Sequence, residues 1–221
     1  MNDIIILVLC HKKRLDESVL INYYNALPLK MLPKIKKYLR WQDRQNHLFS
    51  KLLLRKALNR LNLSIDLLET YSYSKNGKPY VDGTVEFSMS HSWPYAMIAV
   101  SIGSKIGIDI EKFQQNIDLN NFIDIFTKNE IQAINQSKDD DEIFFKIWTR
   151  KESFLKAIGT GFLIAPKQFS CLDKVINHDG KFWSIYDIES QDDITISLAT
   201  ELGKPSIKVD FIHLENILNG N

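Results

Sequence analysis

Only two cysteines occur in the 221 residues, Cys10 and Cys171, far apart and in no paired spacing. That excludes a disulfide framework and leaves no thiolate zinc site, so a reducing cytoplasm is the expected compartment. Charge of one sign is missing too: 28 basic residues face 27 acidic ones, a formal net charge of +1. No global basic field therefore draws the chain to nucleic acid, and any anion site must be local. No stretch approaches the roughly 18 uninterrupted apolar residues of a membrane span. The opening Asp3–Cys10 is apolar but short, carries an acid, and lacks a basic leader and a small-residue cleavage site, which predicts a buried strand. Two common catalytic devices are absent as well. There is no Gly-x-x-x-x-Gly-Lys phosphate loop, and neither Ser90 nor Ser92 stands in a Gly-x-Ser-x-Gly elbow.

What is present is apolar material in quantity, 44% of residues with 11% aromatic, enough for one large domain or two small ones. Helical spacing covers 16–24 and 32–61, the second predicting a long helix with an apolar stripe of Leu48, Leu52, Leu53 and Leu58 beside a basic face that includes Arg44 and Arg55. Asn76-Gly77-Lys78-Pro79 is a turn signal, and 85–90 alternates as a half-buried strand does. Residues 95–102 and 106–110 read as two strands joined in a hairpin at Gly103-Ser104. Helical spacing returns at 122–126, 129–135 and 142–158, the last behind the acidic tract Asp139–Glu142 that suits a helix N-terminus. Strands are then expected at 182–186, 194–199 and 207–211. Helices and strands mix in similar measure in both halves, so the expected class is α+β, with two similar subdomains, 1–104 and 105–221, each a small antiparallel sheet packed with a long helix.

Three segments can carry chemistry. In Gly107-Ile108-Asp109-Ile110-Glu111, strand alternation puts both carboxylates on one side, and paired hard oxygen ligands suit magnesium; the same pattern also fits two solvated acids on an exposed face. In Trp148 through Ala157, Glu152 and Lys156 stand four apart on one helix face, which serves equally as a surface ion pair or as a third carboxylate beside a metal with an ammonium for phosphate. In Phe87-Ser88-Met89-Ser90-His91-Ser92-Trp93, a histidine sits among hydroxyls at a strand end, a set of phosphate donors or a structural imidazole. Lys78, Arg40, Arg44 and Arg55 add cations.

Taken together, Ser90-His91-Ser92, then Gly107-Ile108-Asp109-Ile110-Glu111, then Trp148-Thr149-Arg150-Lys151-Glu152-Ser153-Phe154-Leu155-Lys156 with Gly159 and Gly161 beyond, resemble the phosphopantetheinyl transferase superfamily in both order and spacing. The resemblance runs from about Lys34 to Phe169, and the chain length is similar to the surfactin-type class. It implies two similar halves related by pseudo-twofold symmetry in a monomer, and transfer of the phosphopantetheine arm of coenzyme A to a serine of an apo acyl or peptidyl carrier protein, with neither nucleic acid nor membrane as partner.

Carried over by position, Asp109, Glu111 and Glu152 are the implied ligands of magnesium, or manganese. Glu152 is the implied base and Lys156 the cation that stabilises the departing 3′,5′-ADP. Lys34, Arg44, Lys78, Ser90, His91, Asp109, Lys151 and Lys156 are the implied contacts to coenzyme A. One departure stands out: the family's arginine nine residues before Arg55 is Asn46 here, and Arg44 is its expected replacement. The carrier is expected to dock on 112–126, where Phe113, Phe122, Ile123 and Phe126 offer apolar anchors or fill the core. Two other readings compete. A different magnesium-dependent phosphoryl or nucleotidyl transferase would consume a nucleoside triphosphate, and a non-catalytic coenzyme A or carrier binder would have no use for a metal triad and its lysine together.

Overall fold

The structure, a computed structural model, describes residues 3–115, 117–190 and 193–219, the side chain of Phe162 apart. The chain divides into two compact units, one made of Met1–Ser74, Pro79–Gly103 and Ser206–Asn221, the other of Lys75–Lys78 and Ser104–Pro205. Both are mixed α and β.

The first unit holds a four-stranded sheet in the order β10-β1-β5-β4, formed by Ser206–Ile212, Asp3–Cys10, Tyr95–Ile102 and Val85–Ser92. β1 runs antiparallel to β5 and β5 to β4, while β10 lies parallel to β1 with Asp3 opposite Ser206. Two short strands, β2 (Ser72–Tyr73) and β3 (Pro79–Tyr80), pair separately. Helices α1 (Glu17–Asn25), α2 (Leu32–Lys36) and α3 (Trp41–Arg60) complete the unit. The stripe on α3 does what its period predicts. Leu48, Leu52, Leu53 and Leu58 are fully buried in one cluster with Leu7, Leu9, Phe87, Ile98 and Val100 of the sheet. Each such side chain contributes about 1.5–3 kcal/mol by leaving water, which ties helix to sheet.

The second unit has an antiparallel sheet in the order β6-β9-β8-β7, from Ile106–Lys112, Ile194–Thr200, Lys181–Ile188 and Val175–His178. Helix α5 (Asp140–Ile158) lies against β6 and β9, with α4 (Lys128–Asn135) beside it. The acidic tract starts α5 as expected: the Asp139 carboxylate accepts the Glu142 N–H, and three acids fill the first turn. Gly159 ends it at φ 73°, a left-handed conformation that suits glycine.

Three expectations are corrected. Residues 32–61 are two helices, because the backbone turns extended at Arg40 and helix geometry restarts at Trp41; no glycine or proline marks that break. The strands on either side of Gly103-Ser104 are not a hairpin: both edges of β5 are taken by β1 and β4, and β6 pairs with β9 in the other sheet. The single expected boundary at 104/105 also differs from the observed division, since parallel pairing of β10 with β1 places Ser206–Asn221 in the first unit. Strand β7 had no expectation. No helix among the described residues is long and apolar enough to cross a membrane.

Candidate functional site

The second unit brings β6 and α5 into close approach because Gly107 has no side chain. A Cβ there would stand 2.0 Å from the Ser153 carbonyl oxygen and 2.3 Å from the Ala157 nitrogen. The face of β6 that bears residue 107 therefore faces α5, and strand alternation puts Asp109 and Glu111 on that same face. Asp109 is 3% exposed, and its Oδ1 accepts a hydrogen bond from the Lys156 ammonium at 2.6 Å. Glu152 lies one turn before Lys156. Burial, and then the Asp109 charge, push its carboxyl above the usual carboxylate range, while Lys156 pulls the other way. Beneath them, Ser197, opposite Asp109 in the β6–β9 register, shares a hydrogen bond with Thr149 of α5 at 2.9 Å.

Two carboxylates crowded together with one ammonium, which offsets only one of them, are a set that a hard cation relieves. The donor chemistry fits magnesium, since all of it is carboxylate oxygen. Among the described residues, however, no group of three or more His, Cys, Asp or Glu side chains is gathered as a metal shell. Asp109 and Glu152 are brought together, while Glu111 shares their strand face, half-exposed opposite Thr195.

Lys151, an implied coenzyme A contact, is held inside the fold. It is 1% exposed, its ammonium 2.9 Å from Glu130 Oε2, and it donates to the carbonyls of Pro166 and Phe169 at 2.8 and 2.7 Å. Glu130, itself fully buried, also accepts the N–H groups of Thr127 and Cys171. This buried pair ties α4, α5 and the 166–171 segment into one body. Nothing in the sequence pattern singled out Glu130, because a capping-box glutamate reads as a surface residue. Lys78, at the turn between β2 and β3, donates to the carbonyls of Ile106 and Ala157, both at 3.3 Å, where cationic charge suits the C-terminal end of α5.

In the 112–126 segment, apart from Asn116, which lies outside the described residues, Phe126 is core at 3% exposure. Phe122 stacks edge-on against Phe144 and Trp148, Phe113 packs beside Phe145, and Ile123 is exposed.

The first unit holds the other expected contacts. Ser90 is buried on β4, and the His91 ring meets His47 of α3 edge-on at 4.8 Å. Lys34 of α2 stands 3.4 Å over the Tyr73 ring. Arg44 pairs with Glu17 of α1 at 3.4 Å, and the Asn46 amide is buried against the His11 imidazole at 2.7 Å.

A model of the 4'-phosphopantetheinyl transferase superfamily matches residues 105–201, the stretch that carries β6 and α5. The chain is similar to the 4'-phosphopantetheinyl transferase gsp of Aneurinibacillus migulanus, 35% identical over 60% of this chain and 56% of that one. It is also similar to the 4'-phosphopantetheinyl transferase of Bacillus subtilis, 28% identical over 62% of each. The L-aminoadipate-semialdehyde dehydrogenase-phosphopantetheinyl transferase of Mus musculus is 32% identical over 58% of this chain and 47% of that one. The chain thus spans about half to two thirds of these relatives' length. The segment that holds Asp109, Glu152 and Lys156 is thus the one that matches the 4'-phosphopantetheinyl transferase superfamily model, and through it the chain is similar to transferases of that superfamily.

Proposed function

We propose that the protein transfers the 4'-phosphopantetheine arm of coenzyme A to a serine hydroxyl of an apo acyl or peptidyl carrier protein, releasing 3',5'-ADP, as a cytoplasmic monomer. The observation that carries this reading is the Asp109–Lys156 pair at 2.6 Å beside Glu152, inside the segment that matches the superfamily. Asp109, Glu111 and Glu152 would hold magnesium, which supplies charge neutralisation at the pyrophosphate. Glu152 takes the proton from the carrier serine hydroxyl, a role served by a carboxyl lifted above its usual range. Lys156 has three ammonium hydrogens, and its side chain is 30% exposed, so it can stabilise charge on the departing phosphate while still holding Asp109. The proton therefore ends on Glu152, the P–O bond to the arm forms at the serine oxygen, and the bond to 3',5'-ADP breaks.

On the first unit, Lys34, Ser90 and His91 are proposed to meet coenzyme A phosphates. On the second, Lys78 is proposed to do so by leaving its carbonyl partners, and exposed Ile123 to take part in carrier docking. Intact-protein mass spectrometry of an apo carrier, incubated with the enzyme, coenzyme A and magnesium with and without chelator, tests the reading. A chelator-sensitive gain of one phosphopantetheine is expected; no gain on acyl and peptidyl carriers alike would overturn it.

A further inference from the structure

Helix α3 carries a buried cation that the carry-over from the superfamily does not assign. Lys51 is 3% exposed, and its ammonium donates to the His47 carbonyl at 3.2 Å. Among the described residues no carboxylate pairs with Lys51 or with Lys34. The groups around it are Lys34 from α2, His47 on its own helix, His91 from β4, and the phenols Tyr71 and Tyr73. Burial and then Lys34 press the Lys51 ammonium down to about 8. Burial, His91, Lys51 and Lys34 together press His47 to about 3. A buried ammonium without a carboxylate is costly, and a cluster of like charges adds to that cost. An arriving anion offsets both at once.

The residues that would otherwise bind such an anion are committed elsewhere. Asn46 stands where an arginine was expected, and its amide is closed on His11, while Arg44 turns to Glu17. Lys51 lies one turn beyond His47 and so lends its charge from below to the place where His47, His91 and Lys34 meet. We propose that Lys51, with His47, is the specificity-determining pair of this chain for a terminal phosphate monoester of the substrate, replacing the arginine missing at Asn46. A monoester dianion concentrates more charge than a diester, and it suits the Lys51 and Lys34 ammonium groups, which meet no carboxylate among the described residues. The proposal rests on the coenzyme A reading, in which that group is the 3'-phosphate.

The test compares coenzyme A with coenzyme A lacking its 3'-phosphate in wild type, Lys51→Met and Lys51→Arg. Lys51→Met, close in shape, should cut the preference in kcat/KM for the 3'-phosphorylated form by roughly tenfold, the worth of one charge-assisted interaction, while Lys51→Arg retains most of it. His47→Ala should lower the same ratio by a smaller factor. A purely structural role would depress both substrates alike and leave the ratio unchanged, which would overturn the proposal. Calorimetric binding of adenosine 3',5'-bisphosphate against adenosine 5'-monophosphate gives the same ratio without catalysis. If wild type fails to transfer but shows a Lys51-dependent preference in calorimetry, the transfer reading falls and the anion site stands. An unchanged calorimetric ratio in Lys51→Met removes the anion site, whatever the enzyme does.

Discussion

On α5, three cations meet carboxylates: Arg150 holds Asp187 through two hydrogen bonds of 2.8 and 2.6 Å, Lys151 holds Glu130, and Lys156 holds Asp109. On α3, the outlying Arg44 and Arg60 find acids, Glu17 and Asp210. Arg55 and Lys56 bind the main-chain carbonyls of Leu218, Asn216 and Asn219, and Lys51 is buried beside Lys34. The two long helices bury comparable apolar stripes and yet treat charge in opposite ways. In the second unit each of these cations is met by a carboxylate within the fold. In the first unit Lys51 and its neighbour Lys34 meet no carboxylate among the described residues. Carbonyl partners also explain what the residues after Gly203 contribute: they provide the edge strand β10 and a turn clamped to α3.

Unbalancing the second unit should have the largest effect. Asp109→Ala removes the carboxylate that joins Lys156 to the site and is expected to lower transfer on the order of 10³-fold with little change in unfolding midpoint. Turnover near wild type in that variant would break the comparison at its centre. Glu130→Gln leaves the Lys151 ammonium buried without its counter-charge, which costs about 3–5 kcal/mol of stability in urea titration. Adding Lys151→Met to it should recover much of that loss, and a Lys151 that served coenzyme A instead would show its effect in KM.

Gly107→Ala sets a methyl group against the backbone of α5 and is expected to cost about 3 kcal/mol while also lowering activity, because the Asp109 face moves away from Glu152. Calorimetric unfolding together with transfer rates would separate the two. A smaller effect should come from the first unit in acid. Burial holds His11 neutral down to about 4, whereas unfolded histidine takes a proton near 6.5, so stability is complete above about pH 6.5 and is lost as pH falls toward 4. The loss at pH 5 is about 2 kcal/mol for this imidazole, and His11→Gln should flatten that part of the stability curve. An unchanged acid slope would mean that the imidazoles of this unit are not kept uncharged by burial.

Much of the fold was legible locally. The acidic start of α5, the alternation of β4 and the stripe of α3 each follow from a short-range period or cap. The pairing of β10 with β1 and the separation of β5 from β6 were not legible, because they depend on which edges remain open once other strands have paired; the split between α2 and α3 was not, because no glycine or proline marks the extended Arg40. In the site, spacing made Asp109, Glu152 and Lys156 candidates without choosing between a site and solvated charges, and the resemblance to the superfamily singled them out. The burial of Lys151 and the existence of Glu130 as its partner were not legible, because both residue types are ordinarily exposed.

The sequence by itself carried the likeness to the superfamily, the pairing of Asp109 with Glu111 and of Glu152 with Lys156, and the lack of a thiolate or phosphate-loop motif. Those depend on residue identity at fixed local offsets, which strand and helix periods translate directly into shared faces. Only the tertiary structure decided which lysine meets a carboxylate, which meets a carbonyl, and which is buried among other cations. That sorting follows from contacts between residues up to 163 apart, such as Arg55 with Leu218, and from the cost of burying charge, which no local spacing records.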